Sequence, residues 1–274
     1  MGHWRTFGLF VSGTLAFSWG LWTLLVFEVV PSSMTVPLIM LGGFGPFVGA
    51  VVALRLTGRP IRTWLQSNLR YRIPLRWYVV ALALPPALIV SSSVVYVTLF
   101  DASYAFAEIQ PLWLFPVGFV VTFLLGGGQE ELGWRGFAQP ALQEGLSAFT
   151  ASLLIGVVWF VWHLPLFFVP GSSQAGVPVV PYAVGVIATA VVLGWLYNTT
   201  ESLLIPWLYH ASVNPAGGYF LAGVAGLQTA RGYGSYALLV TAVAIVLLLR
   251  HGPMNLAATA RVRLSTLVDI RSNT

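Results

Sequence analysis

Three ionisable side chains, Glu130, Glu131 and Arg135, close a run that is otherwise polar-neutral, glycine or apolar: Gly126-Gly127-Gly128-Gln129-Glu130-Glu131-Leu132-Gly133-Trp134-Arg135. On a helix running from about 128 to 136, Glu131 and Arg135 stand four apart and meet on one face, while Glu130 projects about 100° away. One carboxylate is then neutralised locally and the other is left free to act. His163 follows in Trp159-Phe160-Val161-Trp162-His163-Leu164-Pro165, and His210 and Asn214 lie one helical turn apart in His210-Ala211-Ser212-Val213-Asn214-Pro215. Singly, each group has a plain reading: carboxylates at a membrane interface, a histidine bonded to a neighbouring carbonyl, an asparagine ending a helix. Together in apolar segments they read as a site, because ionisable groups at membrane depth face one another or a watery cavity.

Hydrolysis by an activated water needs a base for the water and donors for the oxyanion. A desolvated carboxylate is a stronger base than a solvated one, and an asparagine amide carries two uncharged donors. A second chemistry uses the same side chains: Glu130, His163 and His210 as three ligands of a zinc ion, with water in the fourth position, although no HExxH occurs. Other nucleophiles fare worse. The chain has no cysteine, no Gly-x-Ser-x-Gly surrounds Ser147, Ser152 or Ser212, and the only aspartates are Asp101 and Asp269 in polar segments.

The elements that must carry these groups are membrane helices. Hydrophobic residues make up 57% of the 274 and charged residues 8%, with mean hydropathy +0.83, far from a soluble globular composition. The expected fold is an all-α polytopic bundle of about eight transmembrane helices in a single domain, 1–274, with spans near 6–30, 34–55, 77–100, 111–129, 149–169, 178–198, 201–222 and 235–250. The first span is expected to be retained and not cleaved as a signal peptide. Arg55, Arg59, Arg62, Arg70, Arg72 and Arg76, interleaved with Trp64, Tyr71 and Trp77, read as a positive-inside loop with an interfacial helix and aromatic anchors; binding of an anionic lipid is the sharper alternative. That places both termini in the cytoplasm, with 11 of the 13 arginines on that side. Phe44-Gly45-Pro46 and Pro85-Pro86 are expected to bend or interrupt their helices. Asn198-Thr199-Thr200 is a sequon on the internal side and is discarded. Nucleic-acid binding is not expected, and no inverted repeat of the kind found in many carriers is visible.

The three clusters resemble the signatures of the CAAX protease and bacteriocin-processing family, also called Abi proteins, which includes the type II CAAX prenyl proteases: EExxxR at Glu130 to Arg135, FxxxH at Trp159 to His163, and HxxxN at His210 to Asn214. Trp159 stands where the pattern has Phe, and an aromatic of either kind can wall the pocket. The resemblance covers about 120–220. It implies an intramembrane endopeptidase in which Glu130 and His163 activate water, Glu131 and Arg135 hold the helix end, and His210 with Asn214 stabilises the oxyanion. It implies no required cofactor in the favoured form, with zinc on Glu130, His163 and His210 in the metal-dependent form. The expected partners are the bilayer and a membrane-anchored, lipidated or bacteriocin-like protein or peptide, with a bacterial plasma membrane as the location. The competing functions are a non-proteolytic immunity or scaffold protein and a proton-coupled transporter.

Overall fold

A computed structural model describes residues 2–104, 109, 111, 113–222, 224, 226 and 229–269. Every regular element among them is helical; the only strand-like pairing is an isolated bridge between Tyr104 and Val224. In order these are α1 (His3–Val26), α2 (Thr35–Gly42), α3 (Gly45–Leu56), α4 (Ile61–Asn68), α5 (Leu75–Phe100) and α6 (Leu114–Leu124). There follow two short α turns, α7 (Glu131–Gly133) and α8 (Gln139–Leu142), then α9 (Ala148–His163), α10 (Val179–Thr200), α11 (Leu204–Ala222), α12 (Ala230–His251) and α13 (Leu264–Val268).

The protein is an all-α integral membrane protein. Helices α1, α5, α9 with its 3₁₀ extension, α10 and α12 are long and apolar enough to cross a bilayer, and the Ser32–Gly42 and Gly45–Leu56 pair, bent by 42°, makes a sixth candidate. The bend falls at the expected Phe44-Gly45-Pro46 break. Pro85 and Pro86, by contrast, lie inside an uninterrupted α5. Among the described residues, two of the eight expected spans meet the criterion neither as a single helix nor as a bent pair. The fourth stops as a helix at Leu124, before three glycines, and the seventh, α11, carries His210, Ser212, Asn214 and Pro215.

The chain stays buried beyond 129, the expected limit of the fourth span. From Gly127 to Gln143 the chain is buried at every position except Leu132, passing through a 3₁₀ turn (Gly128–Glu130), α7, a π turn (Trp134–Ala138) and α8. Gly133 makes this path possible, since a Cβ there would lie 2.3 Å from the Pro46 backbone at the start of α3. The π turn alters the local hydrogen bonding, and the Gly136 carbonyl accepts from Trp64 Nε1 at 2.7 Å. Trp64 is therefore not an interfacial anchor. It is fully buried, and with Asn68, whose Oδ1 accepts from the Tyr197 hydroxyl at 2.8 Å, it clamps α4 onto the π turn.

A second polar clamp fixes the far end of this segment. Asn198 Nδ2 donates to Gln143 Oε1 at 2.8 Å and to the Asn255 carbonyl at 3.1 Å, and Gln143 Nε2 donates back to Asn198 Oδ1 at 3.1 Å. Buried polar groups are tolerated when paired in this way. The sequon asparagine is thus a buried strut between α8, α10 and the C-terminal segment.

Candidate active site

The six expected site residues come from five elements, His210 and Asn214 sharing α11, and four of them converge on one tryptophan. Glu131 and Arg135 meet as the i, i+4 spacing requires, Arg135 Nη1 to Glu131 Oε1 at 3.0 Å, with both side chains wholly inaccessible. The partner that spacing could not show is His210. Its Nδ1 lies 2.8 Å from the same Glu131 Oε1. A carboxylate accepts, so Nδ1 carries the proton and Nε2 is turned away from Glu131.

Glu130 makes no salt bridge among the described residues. Its Oε2 accepts instead from Trp159 Nε1 at 3.0 Å. Helix α9 starts on a Ser147 side-chain cap that accepts from the Thr150 amide at 3.1 Å, and its last two turns deliver Trp159 and His163 on one face. His163 Nδ1 donates to the Trp159 carbonyl at 2.8 Å, which again leaves Nε2 as the available nitrogen. The Trp159 ring lies beneath the Arg135 guanidinium at 4.8 Å and edge-on to His210 at 5.2 Å between centroids. Trp159 therefore touches Glu130, Arg135, His163 and His210. Read from sequence it was only a pocket wall, and a phenylalanine could not make the hydrogen bond to Glu130.

Asn214 is the most exposed of the set, and its Nδ2 donates to the Gly126 carbonyl at 2.8 Å. One amide proton is thus committed to the glycine break and one remains. Trp207 Nε1, donating to the Phe123 carbonyl at 2.7 Å, pins α11 to the end of α6 on the same side. Gln129 staples the break from within, accepting from the Gly127 amide at 2.9 Å and donating to the Leu125 carbonyl at 3.0 Å.

Glu130 lies in the break outside the spanning helices. Burial is the main influence on its carboxyl and pushes it up to about 7; His210 and the Trp159 hydrogen bond pull it down, and the Glu131 charge adds to the rise. The zinc set does not assemble. Among the described residues, no three histidine, aspartate or glutamate side chains form a group that could hold a metal ion, and no step below is routed through one.

Residues 111–216 match the family model described as type II CAAX prenyl endopeptidase Rce1-like. All six side chains lie inside those limits. This segment is similar to the Rce1-like family. Over 106 residues the chain is also 32% identical to CAAX prenyl protease 2 of Methanococcus maripaludis, an alignment covering 36% of this chain and 38% of the relative. The chain thus spans well under half the length of that relative, and the likeness resides in the segment that carries the site.

Within the Rce1-like segment two positions make sharp predictions. Gly127 has φ +141°, a conformation open to glycine, and a Cβ there would lie 2.6 Å from Asn214 Nδ2 and 2.8 Å from His210 Nε2. For the endopeptidase reading proposed below, Gly127→Ala is expected to retain a folded protein while lowering peptide cleavage about 100-fold, because reacting groups tolerate little misplacement. Initial rates in liposomes, alongside thermal unfolding in detergent, check this. Trp159→Phe removes a donor that favours the charged form of Glu130. The carboxyl then rises further, so the acid limb of the pH–rate profile, expected near pH 7 in the wild type, moves to higher pH. At pH 6 the variant should be about tenfold or more slower, given the worth of a hydrogen bond to a charged group; a superimposable profile would remove Trp159 from the account.

Proposed function

We propose that this protein is an intramembrane endopeptidase in which Glu130 is the general base for water. The observation that carries the reading is the division of labour between adjacent carboxylates. Glu131 is occupied by Arg135 and His210, whereas Glu130 is buried, free of any cation at salt-bridge distance among the described residues, and held in place by a neutral N–H.

In the proposed reaction Glu130, assisted by His163, which is bonded to the same tryptophan, takes a proton from water as the oxygen attacks the scissile carbonyl carbon. The carbonyl electron pair moves onto oxygen. That oxyanion accepts from the uncommitted Asn214 amide N–H and from Nε2–H of His210 in its protonated form, which faces the Glu131 carboxylate. Collapse breaks the C–N bond, and the proton held by Glu130 passes to the leaving amine. Glu131 and Arg135 touch no reacting atom; they fix His210 and the Trp159 ring.

The substrate class follows from the surroundings and from the similarity to prenyl proteases: a protein or peptide held at the membrane by a lipidated end, cut on the cytoplasmic side if the arginine distribution sets the orientation. The experiment compares the purified protein in liposomes on one peptide sequence with and without a C-terminal prenyl-cysteine anchor. Cleavage of the anchored form alone is expected. Cleavage of neither, by protein of confirmed fold, would count against the endopeptidase reading for these substrates, and equal cleavage of both would remove the anchor from it.

A further inference from the structure

At the start of α1, away from the site above, a cavity of about 300 Å³ is lined by His3, Thr6, Arg59, Glu144 and Ser265, with the Gly2 backbone at its rim. Three of these side chains each turn a buried polar atom to no partner: His3 Nε2, Thr6 Oγ1 and Arg59 Nη1. Thr6 is only 1% exposed. Buried donors left unmade are costly, and three around one cavity point to something that accepts from all of them. The helix start adds to this. Gly2 provides no side-chain cap, and its carbonyl accepts from the Arg5 and Thr6 amides, so the His3 and Trp4 amides are without a partner among the described residues.

The charges sort in the same direction. Glu144 is already engaged, its Oε1 accepting from the Ser265 amide at 2.7 Å and its charge acting on Arg261. Arg59 makes no ion pair among the described residues. The His3 ring is seated against bare backbone, since a Cβ on Gly145 would lie 2.4 Å from its Cε1. The cavity also sits at headgroup level: His3 begins a candidate span, and Arg59 follows Leu56, the end of another.

We propose that this cavity is a binding site for a phosphate group, namely the phosphodiester of an acidic phospholipid headgroup, held by Arg59, Thr6, His3 and the first amides of α1. Phosphate oxygens take charge-assisted bonds from arginine and from helix amides. Acidic lipids are drawn to basic stretches such as the one Arg59 belongs to.

The test uses the delipidated full-length protein in detergent and reads retained lipid by native mass spectrometry. Its probes are phosphatidylglycerol, diacylglycerol of the same chains, and inorganic phosphate, applied to the wild type, Arg59→Gln, Thr6→Val and Arg55→Gln. Arg55 is an exposed arginine of the same stretch that does not line the cavity. Phosphatidylglycerol should bind at least tenfold more tightly than diacylglycerol, weaken tenfold or more in Arg59→Gln and in Thr6→Val, and be unchanged in Arg55→Gln. Equal losses in Arg55→Gln and Arg59→Gln would reduce the effect to general surface charge and overturn the site, as would wild-type binding in Thr6→Val. Displacement of the lipid by inorganic phosphate at equal concentration would overturn the headgroup assignment. Thr6→Val keeps the side-chain shape, so it decides the matter even where Arg59→Gln does not fold.

Discussion

Glu130→Gln is expected to lower peptide-bond cleavage by about 10²–10⁴-fold, the usual worth of a positioned general base, while leaving the fold intact. Glutamine has the same shape, and its carbonyl still accepts from Trp159 Nε1, so the 3.0 Å contact that orients the side chain survives. What is lost is a group that can take a proton from water. Glu131 is a poor substitute, because its Oε1 is held by both Arg135 and His210. The check is single-turnover cleavage of a lipid-anchored fluorogenic peptide in liposomes, with thermal unfolding to verify the fold. A loss of threefold or less would remove Glu130 from the role of base.

Arg135→Met is expected to destabilise the protein by about 3–5 kcal/mol, the cost of removing one partner from a buried ion pair. Both members are wholly inaccessible, and the change strands the Glu131 carboxylate where no water can solvate it. It also lifts the guanidinium off the Trp159 ring, so activity should fall with stability. The sign of the second substitution is informative. Adding Glu131→Gln removes the stranded charge yet keeps an acceptor for His210 Nδ1, and should return part of the lost stability. Folded yield and unfolding midpoint in detergent, measured across the four-member cycle, check both parts; a double variant less stable than Arg135→Met would contradict them.

The site was largely legible because its residues break the rule of their surroundings. Carboxylates, histidines and an amide inside apolar helices have few explanations, and i, i+4 spacing alone correctly paired Glu131 with Arg135. The illegible parts are contacts between residues far apart in the chain. His210 reaches Glu131 across 79 positions, and no local periodicity encodes that. Trp159 looked like an aromatic wall because its value lies in one N–H whose acceptor comes from another element. The span limits suffered differently. Hydropathy reads through Gly126-Gly127-Gly128 as the end of a membrane segment, whereas the backbone there turns and continues buried to Gln143. Trp64 was misplaced for a related reason: an aromatic beside arginines suggests an interface, but the π turn at Trp134–Ala138 presents a buried carbonyl that its indole satisfies.

The central claim is that Glu130 cuts peptide bonds of membrane-held proteins, and it is tested most directly by comparing protein termini. Membrane and secreted fractions are taken from cells carrying the wild type or Glu130→Gln at equal expression, and new N- and C-termini are read by mass spectrometry. The account predicts a set of termini present only with the wild type, clustered near lipid-anchored ends. Identical termini in both strains under several growth conditions would contradict it, and would make the Glu130, His163 and His210 pocket a binding site in an immunity or scaffold protein.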